Sequence, residues 1–378
     1  MITLFSTVIL FGFTFNNVYL VTIKDSNKCK KYPCLIFEDN FNDFDLSVWE
    51  HLRTAAATGN NEFQYYTNNR SNSFVKDGVL YLKPTLTKDT FGEEFLYNGT
   101  LNLWGSTPWT TCTSNLDSGC KRKGSSDSLI NPIQSASIRT ANKFSFKYGK
   151  VDVKAKLPQG DWIWPAIWLM PKYSVYGDWP ASGEIDLMES RGNENLTVSK
   201  KDLTQIGNKR VSQSLHWGPY FPQNGHPKTL ASRGKIEGSF ASSYHVYSVI
   251  WTKHDISFYI DNSLSLNVSV GNEGFWKFGE FNKLENASNP WENGSKMAPF
   301  DQEFYIILNT AVGGTNRYFD ENFEPKIPWD NSSNGQKAMK EFWENKNQWL
   351  PTWKGNDVAL KIDYVRVWKL EANSSGDT

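Results

Sequence analysis

Forty lysines and arginines balance forty aspartates and glutamates over 378 residues, so the formal net charge is zero. A nucleic-acid binder carries a basic excess or stripe, and a sulfated polymer calls for cations in its groove; the even balance argues against both and suits a neutral ligand. Aromatic residues reach 15%, with 16 Trp, 16 Tyr and 24 Phe, enough to fill a β core or to line a groove for a ligand with flat apolar faces.

Along the chain, Ile2 to Phe15 is an uncharged apolar run. It has the length of a signal-peptide core and is too short for a membrane span. Residues 1–20 are therefore read as a signal peptide, with a buried first strand or helix as the alternative. No other segment is apolar enough to span a bilayer. Cys29, Cys34, Cys112 and Cys120 allow three pairings, of which nearest-neighbour pairing would close two small loops. Their spacing and the lack of histidine partners argue against zinc. Acceptor sites of the form N-x-S/T begin at Asn69, Asn98, Asn195, Asn267, Asn286, Asn293, Asn331 and Asn373. A secreted, extracellular, disulfide-bonded glycoprotein is expected, free of the membrane once the signal is removed.

Thr111–Pro132 reads as a polar loop inserted on the framework, and Lys121-Arg122-Lys123 within it as a solvated run. Lys150–Lys156 alternates polar and apolar residues, as a half-buried strand does. So do Tyr244–Trp251 and Asp255–Asp261, joined by a hairpin turn at Lys253-His254. A second polar insertion covers Lys283–Ala298. Glu303–Ala311 is a longer apolar strand ending before Gly313-Gly314, Gly335–Trp349 is the best helix candidate, and Val358–Trp368 alternates again. Without internal repeats or a low-complexity linker, the pattern predicts an all-β sandwich forming one domain over residues 21–378, acting as a monomer.

The chemically informative stretch is Ser182-Gly-Glu184-Ile-Asp186-Leu-Met-Glu189-Ser190. In a regular strand Glu184 and Asp186 share a face, whereas Glu189, five positions beyond Glu184, points away. A β-bulge at Leu187-Met188 inserts one residue and turns Glu189 back to their side. Four effective strand steps of about 3.3 Å put the two glutamate backbones roughly 13 Å apart, and an inward lean of roughly 4 Å each brings the carboxyls to about 5 Å. Two acids at that separation match a retaining glycosidase and fall short of the inverting range. One acid protonates the leaving oxygen, the other attacks the sugar carbon, and crowding raises one pKa so that a proton is available near neutrality. A solvent-facing acidic strand and a calcium site are the competing readings. The surroundings favour catalysis: Trp164 and Trp168 share a strand face in Trp162-Ile-Trp-Pro-Ala-Ile-Trp168, and Trp179 precedes the acids.

These residues resemble glycoside hydrolase family 16, in particular its laminarinase-like β-1,3-glucanases. The E-[I/L]-D-x-x-E signature is matched by Glu184, Asp186 and Glu189. Its flanks match at residues 164–171, 177–183 and 189–193, and further likenesses lie at 215–219, 308–314 and 362–368. The resemblance implies a concanavalin A-like jelly roll with an open concave cleft, and a secreted endo-β-1,3-glucanase cutting laminarin-type β-glucan by a retaining mechanism. It implies Glu184 as nucleophile, Glu189 as acid/base and Asp186 as the assisting carboxylate. Asn69, Arg70, Trp164, Trp168, Trp179, His216 and Asn309 carry over as substrate contacts, with core packing the alternative for each Trp and a structural role for His216. No cofactor is implied, although some relatives hold a structural calcium, for which Glu38 and Asp363 are the counterparts unless they are salt partners. The extra residue at Met188 goes with the β-1,3-specific branch, because relatives that cut mixed-linkage glucan often carry the shorter E-x-D-x-E strand. A mixed-linkage β-glucanase is one alternative, and non-catalytic β-glucan recognition proteins of invertebrates are the main rival reading. They keep the fold but lose one or more acids, whereas all three stand here.

Overall fold

The computed structural model describes residues 21–56, 59–105, 107, 111–235 and 237–372; the expected signal peptide and the acceptor site at Asn373 lie outside them. Two antiparallel sheets stack face to face, giving the expected β-sandwich. One contains, in spatial order, Cys34–Asp39, Leu360–Lys369, Gly149–Lys156, His245–Trp251, Ile256–Ile260 and Ser263–Val268. The other has seven strands: β1 (Glu50–His51), β2 (Ser137–Arg139), β3 (Ile163–Pro171), β4 (Glu184–Ser190), β5 (Arg210–His216), β6 (Leu230–Gly234) and β7 (Phe304–Val312). Their order across the sheet is β6-β5-β4-β3-β7-β2-β1, every pair antiparallel.

Alternation explains the sandwich. Val151, Val153, Tyr247 and Val249 point inward from the first sheet and meet Ile167, Leu169, Ile185, Leu215, Ile306 and Leu308 from the second in one buried cluster. The opposite face of the seven-stranded sheet is thereby left to carry function. A second cluster, including Phe63, Trp162, Trp329, Phe342, Trp343 and Trp349, packs beside that face under helix α1 (Gly335–Glu344). Asn334 caps α1, its side chain accepting from the Lys337 N–H.

The expected helix over 335–349 is broken at Asn345, and Lys346–Trp349 forms a separate short turn of helix. Strands β5 and β6 were not anticipated, because β5 buries polar residues and β6 is largely exposed. The run Lys121-Arg122-Lys123 is a strand rather than a solvated loop: it pairs with Thr100–Asn102, and the half-buried Arg122 donates to Asn131 Oδ1 at 2.7 Å. The cysteines join as Cys29–Cys34 and Cys112–Cys120, each closing a small loop. Among the described residues no helix is long and apolar enough to cross a membrane.

Glu38 and Asp363, the calcium counterparts, lie on the first sheet, and each already holds a cation. Glu38 pairs with Arg366 Nε at 2.8 Å and Asp363 with Lys154 Nζ at 2.7 Å. Among the described residues these two do not join a group of three or more convergent metal-binding side chains.

Candidate active site

Strand β4 starts where Gly183 turns the chain with φ +85°, and a Cβ there would stand 2.9 Å from the Phe300 ring. Glycine is thus required immediately before Glu184. Along β4 the register to β5 runs Glu184 to His216, Ile185 to Leu215 and Asp186 to Ser214, then slips so that Glu189 faces Ser212. Leu187 and Met188 together oppose Gln213, which is a bulge at the expected position. Both are fully buried in the sandwich core, so two consecutive side chains point inward. Glu184, Asp186 and Glu189 consequently lie on the outer face together. At the bulge the buried Gln213 amide donates to the Leu187 carbonyl at 2.8 Å and to the Tyr259 carbonyl of the facing sheet at 3.3 Å.

Each acid has its own surroundings. Trp179 Nε1 donates to Glu184 Oε2 at 2.7 Å, and Trp164 Nε1 donates to Glu189 Oε1 at 3.0 Å. Asp186, only 2% exposed, accepts from Ser214 Oγ at 2.7 Å and lies 3.4 Å from His216 Nε2. On the far side of Trp164, Tyr318 stacks at 3.9 Å and 5°, and Arg191 lies over Tyr318 at 4.0 Å. The result is a three-layer support under the Glu189 contact. Trp168 Nε1 donates to Asn309 Oδ1 at 2.7 Å, and Asn309 in turn donates to Tyr66 Oη at 3.0 Å.

His216 is held from behind. Asn224 Oδ1 accepts from the Trp217 and His226 backbone N–H groups at 3.3 and 3.0 Å, which fixes the amide so that its Nδ2 donates to His216 Nδ1 at 2.9 Å. Nδ1 is therefore an acceptor, and the ring proton sits on Nε2, facing Asp186. Glu184, Asp186 and His216 place one donor atom each within 4.8 Å of one another, but an Nε2 bearing a proton offers no lone pair to a metal. Burial pushes His216 down to about 4, so it stays neutral across the physiological range.

The acids move the other way. Burial, then repulsion from Asp186, raises Glu189 to about 8. Asp186 rises to about 6, chiefly through burial, and Glu184 is pushed up by burial and by both neighbours. A carboxyl raised in the folded state stabilises the fold below its unfolded value of about 4.5 and loses that contribution as pH climbs through about 8. Glu189→Gln is therefore expected to melt a few degrees above the wild type at pH 9 and level with it near pH 4, checked by thermal melts across pH.

The remaining sequence candidates stand apart. Asn69 is exposed and accepts from the Ser71 N–H at 2.9 Å. Arg70 lies at the β1 edge, donating to His51 Nε2 at 3.2 Å and to the Asn68 carbonyl at 2.8 Å. With β1 four strands from β4, that is roughly 19 Å from the acids. Between them the face carries Tyr305 and the Arg139–Glu50 pair at 2.7 Å, which sequence reasoning missed, as it missed Tyr66, Ser214, Asn224 and Tyr318. A wide surface hollow of about 860 Å³, between Asn61, Arg122 and Asn334–Lys340, shares none of these residues.

Comparison with known proteins fits this geometry. The model for glycosyl hydrolases family 16 matches residues 109–298. A β-1,3-glucan-binding protein of Penaeus monodon is 47% identical over 357 residues, covering 93% of this chain and 94% of its own length. A glucan endo-1,3-beta-glucosidase A1 of Niallia circulans is 35% identical over 89% of this chain, which spans 38% of that protein. The laminarinase catalytic domain of Thermotoga maritima superposes with a TM-score of 0.52 at 22% identity, covering 90% of this chain and 98% of that one, a likeness of fold that matches the expected jelly roll. On its sequence likeness to the first two proteins and the match to the family model, the chain belongs to glycoside hydrolase family 16.

Proposed function

We propose that this chain is a secreted endo-β-1,3-glucanase that cuts by retaining double displacement. The observation that carries the reading is the bulge at Leu187-Met188, which puts three acids on one open sheet face while giving each a different partner. Glu189, protonated at neutral pH, gives its proton to the glycosidic oxygen as that bond breaks. The Glu184 carboxylate attacks the anomeric carbon and forms a glycosyl ester. Glu184 and Asp186 are close enough to share a proton, and attack requires it on Asp186. The indole N–H of Trp179 stabilises the charged form of Glu184, while Ser214 and His216 do the same for Asp186, so the proton rests with Glu184 and passes to Asp186 as Glu184 engages the sugar. Glu189, now a carboxylate, takes a proton from water, whose oxygen displaces Glu184 and restores the β configuration. Water and one glycosidic bond are consumed; a reducing end and a new hydroxyl result.

The names borne by the Penaeus and Niallia proteins support β-1,3-glucan as the ligand. An open sheet face supports internal cleavage. The two disulfides and the exposed acceptor asparagines support export. The second reading, a glucan-binding protein without hydrolysis, is favoured by the name of the 47% identical relative; the complete acid set favours the enzyme. Incubating the purified chain with laminarin decides between them. Oligosaccharides and new reducing ends are expected. Binding to curdlan with no release would leave the recognition role.

A further inference from the structure

The loop that follows β5 is built to present rings. Gly225 N–H donates to the Trp217 carbonyl at 2.6 Å, Tyr220 bridges to Gln223, and Asn224 pins both ends of the loop through its Oδ1. On this braced loop Tyr220 is 47% and Phe221 72% exposed. Bare aromatic surface is costly in water unless a ligand covers it. Its neighbours connect it to the chemistry: Phe221 lies 6.0 Å from the Trp179 ring at 35°, Trp179 is itself 39% exposed, and its N–H touches Glu184. His216 completes the series, 5.6 Å from Trp179.

We infer that Tyr220, Phe221 and Trp179 form an aromatic platform that binds the glucan chain where it runs past the acids on the β5 side. The opposite flank, toward Tyr305, Arg139 and Glu50, is polar. A chain crossing the sheet from β1 to β5 covers five strand spacings, roughly 24 Å, so several sugar units are held at once. The flank toward Phe221 takes the apolar C–H face of a pyranose ring by stacking. The polar flank takes hydroxyls. This inference rests on the proposed glucanase reading and adds to it a site for chain length.

The test compares Phe221→Ala and Phe221→Trp with the wild type on laminarihexaose and laminaritriose. For Phe221→Ala, KM for the hexaose is expected to rise roughly two- to tenfold with kcat little changed. KM for the triose should rise less, because a short chain can bind across the acids toward the polar flank and leave the ring uncovered, whereas the hexaose must cover both flanks. Phe221→Trp restores the hexaose value. Phe221 is exposed, so the melting temperature should not move. Equal behaviour of Phe221→Ala and wild type on both sugars overturns the platform while leaving the glucanase reading intact, and an equal loss on both sugars also overturns it. If the wild type binds without cleaving, the glucanase reading fails, and the same comparison by calorimetric Kd then decides the platform alone. A wild type that neither binds nor cleaves sinks both.

Discussion

Glu184→Gln is expected to lower kcat on laminarin by roughly 10⁴- to 10⁶-fold, the scale seen when a covalent nucleophile is removed from an otherwise intact site. The amide keeps the shape of the carboxylate and still accepts from Trp179 Nε1, so the indole has no reason to move. What disappears is the only group on β4 proposed to attack the anomeric carbon. Removing a repelled acid from beside Asp186 relieves the cluster, so the fold should be no less stable than the wild type. The measurement is reducing-end release, paired with a thermal melt and laminarin binding. Loss of release with binding and melting preserved is the expected result. A variant that kept a tenth of the wild-type rate would place the nucleophile elsewhere.

Glu189→Gln separates the two glutamates. General acid catalysis contributes about 10²- to 10⁴-fold, so hydrolysis of laminarin should fall by that order. An aryl glucoside whose leaving group departs without protonation should still form the glycosyl ester with Glu184. That ester then waits, because no base activates water. Added azide needs no base and should release a β-configured glycosyl azide, restoring turnover. In Glu184→Ala the same anion can only attack directly, giving the α-configured product. Swapped configurations would reverse the assignment of the two acids. In the wild type, kcat/KM should decline as pH rises through about 8, where Glu189 loses its proton; the decline is absent from the aryl glucoside reaction of Glu189→Gln.

The acids and their bulge were legible because the sequence breaks a simple parity. Five positions between Glu184 and Glu189 cannot share a face on a regular strand, and the adjacent apolar pair Leu187-Met188 says where the extra residue goes. Trp164 and Trp168 were legible for the same reason, since even spacing on β3 keeps them together. Partners contributed across the sheet were not. Nothing in the sequence marks Gln213 and Ser214, yet both are buried, one donating to a carbonyl and the other to an acid on β4. Asn224 has no pattern to mark it, as its role depends on a loop returning to His216. Tyr318 and Arg191 are 127 residues apart and meet only through the fold. The cysteine pairing had three arithmetical solutions, and loop closure in three dimensions selected one.

The amide of Gln213 also couples the spacing of the acids to a neighbouring strand. Excising Met188 would give β4 an ordinary pleat with all three acids still aligned, as in a strand reading E-x-D-x-E. It would equally remove the contact between the Gln213 amide and the Leu187 carbonyl, leaving that amide only the Tyr259 carbonyl of the facing sheet in the dry interior of the sandwich. Lineages or engineers moving between the two spacings must therefore alter two segments together, and position 213 is where the second change belongs.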